Sequence, residues 1–152
     1  MEIEIRKAVE SDIDILLEFE QGIVKAERPF DNSLKDGEIH YYDLIELIKS
    51  EKAEVLLAIV NGEAVGSGYA KILKAKSYQK FEEFSYLGFM YVKPEFRGYG
   101  INQKILQSLI KWSKEQGLTE VQLDVYEENS IAKKAYLKAG FKPNLLQMRL
   151  EI

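Results

Sequence analysis

Asn61-Gly62 stands between two apolar runs, Val55-Leu56-Leu57-Ala58-Ile59-Val60 and Ala64 to about Lys74. A two-residue reversal between strands requires positive φ at both central residues, and asparagine followed by glycine supplies them at low steric cost. The middle of the chain is therefore a tight antiparallel hairpin, and the remaining elements have to be arranged around a sheet.

Glu2 to Lys7 alternates polar and apolar as a half-buried strand does, and Ser11-Asp12-Ile13-Asp14 resembles a capping box opening a helix with Ile13, Leu16, Leu17, Ile23 and Val24 on its inner face. Turn formers crowd Arg28 to Glu38, which reads as an exposed loop, and a shorter helix is predicted from about His40 to Lys49. After the hairpin come a strand over Phe84 to Val92, a helix from about Asn102 to Gln116, a strand over Val121 to Val125, a helix from Ser130 to Ala139 closed by Gly140, and an alternating strand from Leu146 to Ile152. The order β-α-α-β-β-β-α-β-α-β predicts an α/β (α+β mixed) fold: one mixed, mostly antiparallel sheet with helices on both faces. At 152 residues, 46% of them hydrophobic, the expectation is a single domain spanning 1–152.

Charge and residue usage exclude several functions. The net charge of −4 arises from interspersed acids and bases with no lysine or arginine run, so nucleic acid is not an expected partner. There is no cysteine and one histidine, His40. A thiolate metal site, a zinc site and a cysteine nucleophile lack their ligands or nucleophile, and a serine triad lacks the G-x-S-x-G turn that would present it. No metal is expected. The N-terminal residues do not read as a signal peptide and no apolar run reaches membrane-spanning length, which predicts a cytoplasmic protein with no membrane partner.

The segment Arg97-Gly98-Tyr99-Gly100-Ile101-Asn102 follows a strand and opens a long helix. The first turn of a helix carries unpaired backbone N–H groups and a partial positive charge, glycines permit positive φ and close approach, and an arginine can fork onto phosphate oxygens. A pyrophosphate fits that description, although a turn that only reverses the chain uses the same residues. Gln103 stands where the dinucleotide fingerprint needs glycine, and no Gly-Lys-Ser/Thr follows for a P-loop.

A second motif, Asn129-x-x-Ala132-x-x-x-Tyr136-x-x-Ala139-Gly140-Phe141, follows the next strand. Together, in this order and spacing, the two motifs closely resemble the GNAT superfamily of N-acetyltransferases, and the order of elements matches that family's fold along essentially the whole chain. The resemblance implies acetyl-CoA as cosubstrate, with Met90, Tyr91 and Val92 against the pantetheine arm, Arg97, Gly98, Tyr99, Gly100, Ile101 and Asn102 around the pyrophosphate, and Asn129 beside the arm. It also implies that Tyr136 protonates the departing thiolate. As bare residues, Tyr136 could equally be core and Asn129 a helix N-cap. Asn102 departs from the glycine or alanine of the family pattern.

Family members often draw the amine's proton to a glutamate near the strand before the pyrophosphate turn. Glu83 is the candidate here, although a glutamate at a strand end is also an ordinary solvated residue. The acceptor, a small-molecule or peptide amine, would meet Glu27, Arg28, Asp31, His40, Tyr41 and Tyr42. The expectation is an acetyltransferase acting on a primary amine. The alternatives are a non-catalytic acyl-CoA-binding sensor of the same fold and an enzyme using a longer acyl donor. Edge strands can pair between chains, which leaves a homodimer open.

Overall fold

The hairpin at the centre of the chain is formed by β2 (Ala53–Val60) and β3 (Glu63–Lys74), with φ of 49° at Asn61 and 78° at Gly62. In the computed structural model, which describes residues 1–152, β1 (Glu4–Lys7) pairs antiparallel with β2, β4 (Glu83–Val92) antiparallel with β3, and β5 (Val121–Leu123) parallel with β4. The sheet order is β1-β2-β3-β4-β5.

Successive residues of a strand point to opposite faces, and β2 uses both. Val55 and Leu57 pack with Leu16, Phe19 and Ile23 of α1 (Ile13–Glu27) and Leu44 of α2 (Leu44–Lys49). Leu56, Ala58 and Val60 pack on the other side with Ile101, Ile105, Leu106 and Leu109 of α3 (Ile101–Glu115). A fourth helix, α4 (Ser130–Lys138), follows β5 and buries no residue completely. The mixed sheet with helices on both faces is as the sequence predicts.

Five local expectations are corrected. Ser11 does not cap α1: Asp12 takes that end of the chain, accepting from the Val9 N–H at 2.8 Å and forking onto Arg6 at 2.8 and 2.9 Å. Leu17 is exposed, while Phe19 and Glu20 occupy the inner face at the three- and four-residue spacing from Leu16 and Ile23. The second helix begins at Leu44, capped by Asp43, instead of near His40. The cause is Glu20, whose carboxylate accepts from the backbone N–H groups of Tyr41 (2.8 Å) and Tyr42 (3.0 Å) and keeps them out of a helix. Finally, β5 stops at Leu123, and Leu146 to Ile152 joins no sheet. Alternation fixes which face of a segment is apolar, but a strand exists only where an edge pairs with it.

Candidate active site

Between β4 and α3 the chain makes a short 3₁₀ turn, Pro94–Phe96, and then passes through Gly98 and Gly100 at φ of 86° and 81°. A Cβ at either glycine would meet nothing within 4 Å, so backbone conformation, not crowding, demands glycine there. The first helical bond runs from the Lys104 N–H to the Gly100 oxygen at 3.1 Å, and the N–H groups of Gly98, Tyr99, Gly100, Ile101, Asn102 and Gln103 have no acceptor in the chain. Arg97 donates from Nε to the Val92 oxygen at 3.0 Å, which fixes the guanidinium beside these donors. A run of free N–H groups at a helix N-terminus beside a fixed arginine is an anion cradle.

Immediately before the turn, β4 is irregular. Ser67 faces Tyr91 but Tyr69 faces Gly88, so β4 carries an extra residue in a bulge where Phe89 takes φ of 58°. The Ser67 hydroxyl holds it, donating to the Phe89 oxygen at 2.9 Å. Pairing of β4 with β5 ends just ahead of the bulge, at Leu87 and Leu123. From Gly88 to Val92 the outer edge of β4 therefore runs without a strand partner, a slot whose backbone groups can receive an extended ligand. Met90, Tyr91 and Val92 lie along it.

Tyr136 comes to this region on α4. Asn129 caps that helix, its side chain accepting from the Ala132 N–H at 3.2 Å, and the capping reading of this residue is thereby realised. At the other end Phe141 N–H bonds the Tyr136 oxygen and Gly140 N–H the Leu137 oxygen, both at 3.0 Å, with the Phe141 and Tyr136 rings 6.0 Å apart. This is a Schellman stop with its hydrophobic contact, and it accounts for Tyr136-x-x-Ala139-Gly140-Phe141 as a device that places the tyrosine. Gln103 Nε2 donates to the Ala135 oxygen at 3.1 Å, tying the first turn of α3 to α4. A cleft of about 420 Å³ between these helices is lined by Gly100, Gln103 and Lys138 among others. Burial, and then the Glu27 charge, push the Tyr136 hydroxyl up to about 12, so it keeps its proton at neutral pH.

Carboxylates and tyrosines gather on the α1 side. Glu27, at the end of α1, is half-buried and raised above the usual carboxylate range by desolvation, with Tyr41 beside it. Asp31 is held down to about 2 by hydrogen bonds from Ser33 and Tyr126, the latter at 2.7 Å. Tyr86 donates to Asp124 at 2.8 Å. Tyr42 stacks edge-on against Tyr69 (5.4 Å) and the bulge residue Phe89 (5.3 Å), which joins this group to β4.

The structure thus joins Met90, Tyr91, Val92 and the turn from Arg97 to Asn102 in one continuous stretch, and Gln103 ties that turn to the helix that carries Tyr136 and is capped by Asn129. It does not bring Glu83 there. That residue is exposed at the start of β4, six positions before Phe89, or roughly 20 Å along a strand. Glu20, Gly22, Asp124 and Tyr126 are residues that the sequence reading did not select. Glu20 alone carried a signal: it falls on the same helical face as Leu16 and Ile23.

Comparison with known proteins follows the same lines. The model of the acetyltransferase (GNAT) family matches residues 21–141. An aminoglycoside N(6')-acetyltransferase type 1 from Stenotrophomonas maltophilia is 29% identical over 99 residues, 63% of this chain, and the match spans 63% of that relative's length. Among solved structures, a point mutant of the BH1408 protein from Bacillus halodurans superposes with a TM-score of 0.88 at 19% identity, over 98% of this chain and 99% of that one. A predicted acetyltransferase with acetyl-CoA, from Clostridium acetobutylicum, gives 0.73 at 19% identity over 99% and 96% of the two chains.

Proposed function

The chain belongs to the acetyltransferase (GNAT) family, and on that premise we propose that it moves the acetyl group of acetyl-CoA onto a primary amine by direct attack. The observation that carries this reading is the run of six unbonded N–H groups from Gly98 to Gln103, tied through Gln103 to the helix that presents Tyr136. In this reading the turn and Arg97 hold the coenzyme's diphosphate. Asn102 contributes its backbone N–H. The free edge of β4 at Met90, Tyr91 and Val92 receives the pantetheine arm beside Asn129, and backbone donors there polarise the thioester carbonyl.

The amine nitrogen bonds to the acetyl carbon, the carbon–sulfur bond breaks, and the sulfur takes the Tyr136 proton. A phenol suits this step: it is protonated at neutral pH, and sharing a proton with a leaving thiolate of pKa about 8.5 eases its departure. The amine's own proton goes to a carboxylate. Glu83 stands six positions before the bulge at Phe89, whereas Glu27 is near enough to raise the Tyr136 hydroxyl and is itself poised upward by burial; Glu27 takes the role here. The surrounding carboxylates of Asp31 and Asp124 favour an acceptor with more than one positive charge. The aminoglycoside activity named for the Stenotrophomonas relative is of that kind.

The test is thiol release from acetyl-CoA across polyamines, aminoglycosides, amino acids and peptide N-termini, with wild type and Tyr136→Phe. Multiply charged amines should be fastest, and Tyr136→Phe should lower kcat by roughly 10²–10⁴-fold with coenzyme affinity retained. Coenzyme binding without release by any amine would replace the enzyme with a sensor of acyl-CoA.

A further inference from the structure

The Tyr41 hydroxyl is the only buried side-chain polar group in the structure with no hydrogen-bond partner. A buried donor left unpaired costs stability, yet the residue that carries it is firmly held: its N–H lies 2.8 Å from the carboxylate of the buried Glu20. Glu20 and Glu27 are seven residues apart on α1, two turns along one face and about 10 Å. Tyr41 spans them, with its backbone on the first and its hydroxyl beside the second. The other phenols that face Glu27 are engaged elsewhere. Tyr126 donates to Asp31 at 2.7 Å and Tyr86 to Asp124 at 2.8 Å, the Tyr42 hydroxyl meets the Phe89 backbone, and Tyr136 serves the thiolate in the reading above. The nearby Arg28 guanidinium is spent on the Lys35 and Gly37 oxygens. Burial and the Asp31 charge both push the Glu27 carboxylate toward its protonated form, in which it cannot accept a proton, and the Tyr41 hydroxyl is the donor at hand to oppose them.

We propose that Tyr41 is a positioning residue for Glu27: its hydroxyl turns onto one carboxylate oxygen as the acceptor amine enters, and keeps the carboxylate ionised and aimed so that the other oxygen takes the amine's proton. This rests on the assignment of Glu27 as the base. Tyr41 touches neither the coenzyme nor the reacting atoms and acts only through Glu27. The bond belongs to the working complex, and the resting chain carries the hydroxyl unpaired. Glu20 supplies the rigidity: with the N–H groups of Tyr41 and Tyr42 both fixed on its carboxylate, the phenol has only its own side-chain torsions left to turn.

Tyr41→Phe keeps the ring and removes only the hydroxyl, so the variant without ligands should melt no lower than wild type. With acetyl-CoA and the fastest amine of the polyamine, aminoglycoside, amino acid and peptide panel, kcat/KM is measured from about pH 6 to about pH 9. The ratio of wild type to variant at each pH cancels the amine's own ionisation. It should be about tenfold or more at the acid end, the effect of one pKa unit, and fall to a small constant at the alkaline end, because losing a donor to the carboxylate raises its pKa and delays its ionisation. In a Glu27→Gln background Tyr41→Phe should bring no further pH-dependent loss, and acetyl-CoA affinity by calorimetry should stay the same in every variant. Three results overturn the positioning role and leave the enzyme in place: a ratio that does not vary with pH, the same pH-dependent loss in the Glu27→Gln background, or a lower Tm of the unliganded variant, which would show the hydroxyl already paired at rest. Glu27→Gln as fast as wild type would instead remove the base, and the role of Tyr41 with it.

Discussion

Glu20 shows how one side chain can set the shape of a segment twenty residues away. It is fully buried, and its carboxylate meets His40 Nδ1 at 2.7 Å as well as the N–H groups of Tyr41 and Tyr42. Those three contacts hold Tyr41 and Tyr42 outside the helix, on the α1 side of the sheet, and displace the start of α2 to Leu44. Glu20→Ala should cost about 2 kcal/mol in chemical denaturation, because it leaves the half-buried N–H groups of Tyr41 and Tyr42 without their acceptor; a loss below the reproducibility of the measurement would remove Glu20 from this role. The same contact, through its hydrogen bond first, raises the His40 pKa above the usual imidazole range. The raised value has a definite sign: the stabilisation is complete below about pH 6.5, the unfolded value, and is lost as pH rises through the folded one. As the chain's only histidine, His40 gives a single imidazole titration by NMR, expected above 6.5 in wild type and shifted down in Glu20→Gln. The helical spacing of Glu20 was readable in the sequence, but its partners lie at 40–42, and no local pattern announces a bond across that separation.

At the scale of elements, the most legible features were those made by neighbours in sequence: the Asn61-Gly62 hairpin, the glycine turn before α3, the cap at Asn129 and the stop at Gly140. Each is a backbone conformation that few residues permit. Less legible were features made by two elements meeting. The β4 bulge depends on Ser67 of β3, and the close approach of α1 to β4 depends on Gly22, where an added Cβ would fall 2.6–2.8 Å from the Tyr91 ring. Tyr91 also packs on Phe19 with centroids 5.0 Å apart. For Gly22→Ala two effects oppose: a helix gains up to about 1 kcal/mol from alanine, while overpacking costs roughly 1–3 kcal/mol. Because the ring is braced by Phe19, overpacking should win. The variant is expected to be less stable by about 1 kcal/mol and, since Tyr91 belongs to the proposed pantetheine edge, to bind acetyl-CoA more weakly by calorimetry. A more stable variant with unchanged affinity would mean that Tyr91 moves aside freely and that its position does not matter to binding.

At the scale of the molecule, the sequence order of strands and the two-faced burial of β2 follow from patterns that the sequence displays openly, and so the architecture was readable. The opening between β4 and β5 was not, because it is defined by where pairing stops. That opening has a thermodynamic consequence. Beyond Leu87 and Leu123 β4 and β5 no longer pair, and the segment after β5 is tied back by contacts such as Tyr126 to Asp31 and Gln103 to Ala135, so a ligand that spans the turn and the free edge of β4 binds a folded chain and has no site on an unfolded one. Linkage then requires stabilisation of RT ln(1 + [L]/Kd), or about 2.7 kcal/mol at a hundredfold excess over Kd. For a chain of this size that corresponds to a Tm increase of roughly 5–11 °C. Acetyl-CoA should produce this shift, and acetyl-pantetheine at the same concentration much less, since it lacks the diphosphate that the N–H groups of Gly98 to Gln103 are placed to receive. Equal shifts from the two ligands would show that the glycine turn is only a turn, and that whatever binds is held by the edge of β4 alone.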